Sequence, residues 1–279
     1  SVGVPGVLHA LKKAHNKYGH LPWAELFKDA IALAENGFIV SPRLEKLVAM
    51  QFNPGISKLP EIQQYLFPGG KGVKAGSILK NPKLARVYRT LAKEGVSPFY
   101  QGWIAEKIVN AVKNAAIAPG RLTLGDMAGY HSKQVSPICG PYRQYQVCGM
   151  APPSSGGVAV IQMLGQLAPF NLSKYAPDSI EAVHLFTQSS RLAFADRNKY
   201  IADSDFVSVP VQGLLDDDYL ANRAKQISLH KDMGKAEAGQ PFGALASAND
   251  NAYEMPSTSH VSIVDGQGNA ISMTSSIEM

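Results

Sequence analysis

Along the first half of the chain, apolar residues recur at helical spacing between cap-like starts and glycine stops. The segment PWAELFKDAIALAENG opens with Pro22, sets Leu26, Phe27, Ala30, Ile31, Leu33 and Ala34 on one apolar stripe and ends at Gly37, which predicts a helix. Ser41 and Pro42 start a second helix in SPRLEKLV, Asn81 starts a third that runs to Gly95, and FYQGWIAEKIVNAVKNAA carries a further apolar face. Between positions 132 and 150 the pattern changes to short β-like runs, SKQVSPICG and YRQYQVCGM, joined at Gly140-Pro141. Helical spacing returns in VAVIQMLGQLA, in DSIEAVHLFTQSSRLAFADRNKYIA and over 216–227. Residues 228–257 have no period and are rich in Gly, Ala, Ser, Asn, Asp and Lys, which predicts a long, exposed and flexible loop. The loop leads into two β-rich runs, 261–264 and 270–274, flanking Asp265-Gly266-Gln267-Gly268-Asn269: a hairpin with apolar residues on both faces.

Helices in blocks and strands in pairs argue for a layered α+β architecture rather than a doubly wound sheet. The strands near 132–150 and the last hairpin are expected to join one sheet system flanked by the first-half helices, with further sheet partners beyond Met279. Composition adds little: 45% hydrophobic and 18% charged residues exclude a disordered or fibrous class. The formal charge of +5 is dispersed, as at Lys12-Lys13, Lys71, Lys74, Lys80 and Arg143, so no nucleic-acid or membrane patch is predicted. No apolar stretch approaches the ~18 residues of a membrane span. The first residues show neither a secretory pattern nor an initiating Met, so localisation is not readable from them. Cys139 and Cys148 read first as two small buried hydrophobes, with a cross-strand disulfide geometrically open. The histidines lack metal-ligand spacing and no phosphate-binding glycine loop occurs, so no metal or organic cofactor is implied.

A hairpin loop symmetric about Gln267 sets Thr258 opposite Ser276, with Cβ atoms about 4.5–5.5 Å apart on one face. Glu278, two residues further, points to that face as well. A threonine hydroxyl, a serine hydroxyl and a carboxylate thus gather at one hairpin end, which suits nucleophilic chemistry. The plainer reading is a set of solvated hydroxyls at a fraying end, and a one-residue register shift would turn Ser276 and Glu278 away. Ser154 and Ser155 in PPSSGG are weaker nucleophile candidates, without G-x-S-x-G or a paired base, and the glycines beside them suit close backbone packing. His260 reads as a structural hydrogen-bonding residue. Arg191, Asp196 and Arg197, on one long helix, read as surface or interlayer polar contacts.

The segment STSHVSIVDGQGNAISMTSSIE resembles the start of the small subunit of γ-glutamyltranspeptidases, also called glutathione hydrolases. GVPGVLHALKKAHNKYGHLPW, AIALAENGFIV, PFYQGWIAEKIV, PPSSGGVAVIQML and RLAFADRNKYIADSDFVSVP resemble that family's large subunit in the same order. The resemblance implies a four-layer αββα N-terminal nucleophile hydrolase fold, incomplete in this chain. It makes 1–257 a large-subunit region and 258–279 the first hairpin of the small subunit. It also implies self-cleavage between Ser257 and Thr258, with Thr258 as nucleophile and its freed α-amine as base. Ser276 would hydrogen-bond that nucleophile, and Glu278 would read the substrate's α-amino group. The implied substrates are γ-glutamyl amides such as glutathione, with water or amino acids as acceptors, and the partner is the remainder of the small subunit in a cleaved heterodimer. A periplasmic or secreted location is implied too. The family's α-carboxylate-binding arginine and oxyanion-hole glycines have no match between positions 1 and 279, so this stretch alone is expected to be nearly inactive. Alternatives are a cephalosporin or glutaryl acylase of the same superfamily and a non-catalytic binding homologue.

Overall fold

A computed structural model describes residues 3–53, 55–245 and 258–276, and these divide into two compact units. One comprises the residues up to Lys133 together with 258–276; the other begins at Gln134 and is described as far as 245. Both mix helix and strand, in keeping with an α+β class.

The first unit contains α1 (Val7–Tyr18), α2 (Lys28–Asn36), β1 (Phe38–Ile39), α3 (Pro42–Met50), α4 (Pro60–Leu66), β2 (Ile78–Leu79), α5 (Pro82–Glu94), α6 (Ser97–Gln101), α7 (Trp103–Lys113) and α8 (Leu124–Gly129). Helix starts follow local chemistry: Ser41 Oγ accepts from the Leu44 amide and Asn81 Oδ1 from the Leu84 amide, each followed by proline in the first turn. The segment read as one helix from Pro22 is instead a 3-10 turn, Trp23–Phe27, followed by α2. Of its apolar stripe only Phe27 and Ala34 are buried, while Leu26 and Leu33 face solvent. Phe27 packs with Leu91 and Ile104, and a neighbouring cluster of Tyr100, Ala105, Val109, Leu122 and Met127 seats α7 and α8.

In the second unit β3 (Ile138–Tyr142) and β4 (Tyr145–Gly149) form a hairpin, followed by α9 (Gly156–Leu167), α10 (Ile180–Tyr200), α11 (Val211–Leu214) and α12 (Asp217–Ala224). The turn falls at Arg143, whose φ is 54°, and not at Gly140-Pro141, which lie inside β3 opposite Val147 and Gln146. Gly140 serves a different purpose, because a Cβ there would meet Ile161 of α9 at 2.4 Å. Cys139 and Cys148 are directly paired across this ladder with Cα atoms 4.1 Å apart and form a disulfide. Both lie on the exposed face, so the reading of two buried hydrophobes is overturned.

Helix α9 is the centre of this unit, with Val158, Ala159, Ile161, Gln162, Gln166 and Leu167 all buried. The glycine-packing expectation for PPSSGG holds for one of its two glycines: a Cβ on Gly157 would lie 2.5 Å from the Met150 carbonyl oxygen, whereas Gly156 has nothing within 4 Å. Gly157→Ala should therefore cost about 2–3 kcal/mol, since a backbone atom cannot rotate out of the way as a side chain can. Urea unfolding checks this, with Gly156→Ala as the control expected to change little.

The last elements are β5 (Thr258–Val264) and β6 (Ala270–Ser276). Among the described residues the strands form three separate two-stranded sheets, β1-β2, β3-β4 and β5-β6. The expected union of β3-β4 and β5-β6 in one sheet is not seen. Each ladder satisfies its own inner edge, and which outer edges meet is a non-local choice that strand periodicity does not encode.

Candidate active site

The hairpin register rests on local turn chemistry. The Asp265 amide donates to the Asn269 carbonyl, the Gly268 amide donates to the Asp265 carbonyl, and Gly268 has φ 82°. A three-residue loop with glycine in the left-handed position suits a right-twisted hairpin. Asp265 Oδ1 accepts from the Gln267 and Asn269 amides and Oδ2 from the Asn269 side chain. These bonds, led by that of the Asn269 side chain, hold the Asp265 carboxyl below its usual range.

With the turn fixed there, Thr258 pairs with Ser276, His260 with Thr274 and Ser262 with Ser272. Alternation then gives the hairpin unlike faces. Thr258, His260, Ser262, Ser272, Thr274 and Ser276 share one, polar except beside the turn, and Val261, Ile263, Ile271 and Met273 share the other. The hairpin was expected to be apolar on both faces; the register instead gathers most apolar residues on one, which also carries the Ser259–Ser275 pair at its open end, and leaves only Val264 and Ala270 beside the turn on the other.

The polar face is internally bonded. His260 Nδ1 lies 2.8 Å from Thr274 Oγ1, and its Nε2 lies 2.9 Å from Ser262 Oγ and 3.3 Å from Ser272 Oγ. This agrees with a structural hydrogen-bonding role for His260, whose ring nitrogens are both engaged by hydroxyls. The arrangement therefore offers, at the open end of the ladder, two directly opposed hydroxyls backed by a bonded imidazole. Thr258 and Ser276 are brought together as the spacing requires. Ser257 and Glu278, the other two site residues read from the sequence, lie outside the described residues.

The competing serine is otherwise occupied, since Arg197 Nε donates to Ser155 Oγ at 3.1 Å. Arg191 pairs with Asp232 at the surface. Asp196, by contrast, is fully buried and is the hub of a cluster that sequence spacing did not reveal. Its Oδ2 accepts from Gln162 Nε2 at 3.1 Å and Tyr219 hydroxyl at 2.8 Å, and its Oδ1 from the Gly239 amide at 2.8 Å and Arg223 at 3.3 Å. Burial, reinforced by the Asp196 charge, pushes the Tyr219 phenol far above its usual range. Arg223 also donates to the Glu237 carbonyl and Tyr200 to the Gly239 carbonyl. Residues 232–239, part of the loop read as flexible, are thus stitched onto α10 and α12. Their signal in the sequence was a few polar residues, Gln188, Asp196 and Arg223, set among the apolar positions that α10 and α12 bury.

Comparison with known proteins bears on the whole chain. Residues 1–279 match the family model described as Gamma-glutamyltranspeptidase. The chain is similar to the "Glutathione hydrolase proenzyme" of Escherichia coli (strain K12), at 34% identity over 98% of this chain and 45% of that protein. It is equally similar to the "Acylase ACY 1 proenzyme" of Pseudomonas sp. (strain SE83), at 34% identity over 99% of this chain and 47% of that one. Among solved structures, the gamma-glutamyltranspeptidase of Helicobacter pylori superposes with a TM-score of 0.78 at 31% identity, covering 89% of this chain and 70% of that chain. The chain spans about half the length of the curated relatives it matches.

Proposed function

Because the chain belongs to the gamma-glutamyltranspeptidase family, we propose that it is part of the precursor of a γ-glutamyl hydrolase/transferase that cuts itself between Ser257 and Thr258. The observation that carries this reading is the register that sets Thr258 opposite Ser276. Cleavage gives Thr258 a free α-amine beside its hydroxyl. An unperturbed α-amine has a pKa of about 7.7–8.0, so it takes and returns a proton readily near neutral pH. The amine accepts the hydroxyl proton as Oγ attacks the γ-glutamyl carbonyl, then passes it to the departing amine. The γ-glutamyl ester left on Thr258 is released by water or by an amino acid. Ser276 supports the nucleophile through its hydroxyl, and the two chains remain together as a heterodimer. Glutathione-like amides are the substrate class. N-terminal sequencing of the full-length protein tests the assignment: a small chain starting anywhere but Thr258 sinks it.

The acylase reading stays alongside because the acylase relative is as similar as the hydrolase, at 34% identity. Glu278 separates the two. Its carboxylate has reason to face a substrate ammonium, which a γ-glutamyl group carries and a glutaryl group lacks. Glu278→Gln keeps the shape and removes the charge, so kcat/KM for a γ-glutamyl amide should fall about ten- to a hundredfold, the worth of a charge-assisted bond. The glutaryl amide should lose little; equal losses on both would remove Glu278 from substrate reading.

We place the protein in the periplasm or outside the cell. The Cys139–Cys148 disulfide supports an oxidising compartment. Fractionation that recovers the mature protein with cytosolic markers would count against it. Among the described residues no helix is long and apolar enough to cross a membrane.

A further inference from the structure

Helix α1 carries His9, Lys12, Lys13 and Asn16 at spacings that set them on one face, and it contains no acidic residue. The fold places this face against His131 and Ser132, which follow α8, and with Val96 they line a recess of about 340 Å³ with no carboxylate in its wall. Its polar groups are held in position. Ser132 is buried, and both its amide and its hydroxyl approach His9 Nδ1, at 3.2 and 2.8 Å. An amide N–H can only donate, so Nδ1 accepts and the neutral ring carries its proton on Nε2, which makes no hydrogen bond among the described residues. The His131 ring stands edge-on to His9 with centroids 5.6 Å apart. Lys13 Nζ is steadied by the Ser132 carbonyl at 3.3 Å and Lys12 Nζ by the face of Trp23 at 4.6 Å. Neither lysine has an acidic partner among the described residues.

We propose that this recess binds a phosphate group, either of a small phosphorylated compound or of a lipid headgroup. Two fixed ammonium groups, an Nε2–H donor and a second imidazole around one concavity supply charge and donors from two chain segments. That geometry suits a compact, tetrahedral phosphate oxyanion better than a planar carboxylate. The volume is at the small end of ligand sites, which fits one phosphate and a short substituent. The inference is independent of the role given to Thr258.

Calorimetric titration of the full-length protein with inorganic phosphate, against sodium chloride of equal ionic strength, tests it. A parallel arm measures co-sedimentation with phosphatidylglycerol and with phosphatidylcholine vesicles. Saturable phosphate binding that weakens about tenfold or more in both Lys13→Met and His131→Ala supports the site with a free phosphate as ligand. The same losses seen only with phosphatidylglycerol vesicles support it with a lipid phosphate. His131 is exposed and its removal leaves the core intact, so if Lys13→Met does not fold, His131→Ala decides alone. Absence of binding in both arms, or binding indifferent to the substitutions, overturns the proposal.

Discussion

Thr258→Ala in the full-length precursor should give one uncut chain and no turnover of a γ-glutamyl amide, where the parent gives two chains. The substitution removes the hydroxyl on which both cleavage and the ester intermediate depend, so the expected loss is about 10⁴-fold or more, as when a nucleophile is deleted elsewhere. Thr258→Ser keeps the hydroxyl and loses only a methyl group. It should still yield a small chain that begins at residue 258. Intact-mass measurement of both variants reads the outcome directly. An Ala variant that still splits at the same bond would show that another group attacks it, and Ser155, bonded to Arg197, would then need re-examination.

The second large effect is expected far from the hairpin, at Asp196. Its carboxylate is fully buried and accepts four donors, from Gln162, Tyr219, Arg223 and Gly239. Asp196→Leu leaves the buried Arg223 guanidinium without its counter-charge and should destabilise the unit by about 3–5 kcal/mol. The double variant Asp196→Leu/Arg223→Met removes both charges, so it should recover a large part of that loss, because the penalty lies mainly in the orphaned charge. Denaturant unfolding of the two variants measures the difference. If the double variant is as unstable as the single one, the cluster acts through its hydrogen bonds to 232–239 rather than through charge pairing.

Much of the hairpin was legible because its determinants are neighbours in sequence. Asp265, Gly268 and Asn269 build the loop among themselves, and the loop dictates every pair down to Thr258 and Ser276. Helix starts at Ser41 and Asn81 were legible for the same reason, a side chain reaching an amide three residues on. The β3-β4 turn was misread since Gly140 looks like a turn residue, whereas its missing Cβ is needed by Ile161 of α9, twenty-one positions away. The same distance problem hid Asp196: no local pattern shows that a helical aspartate will face Arg223 and Tyr219 of another helix.

The sequence by itself determined the capped helices, the loop geometry of the last hairpin and, through it, the meeting of Thr258 with Ser276. Each of these is settled by bonds that close over a few residues, where alternatives are few. Only the tertiary structure decided that Cys139 and Cys148 are bridged on an exposed face, that Asp196 is buried and paired, and that His131 and Ser132 close a recess against His9, Lys12 and Lys13 of α1. Those outcomes depend on which surfaces exclude water against each other. Burial is a property of assembled elements, and charge and spacing within a single element do not specify it.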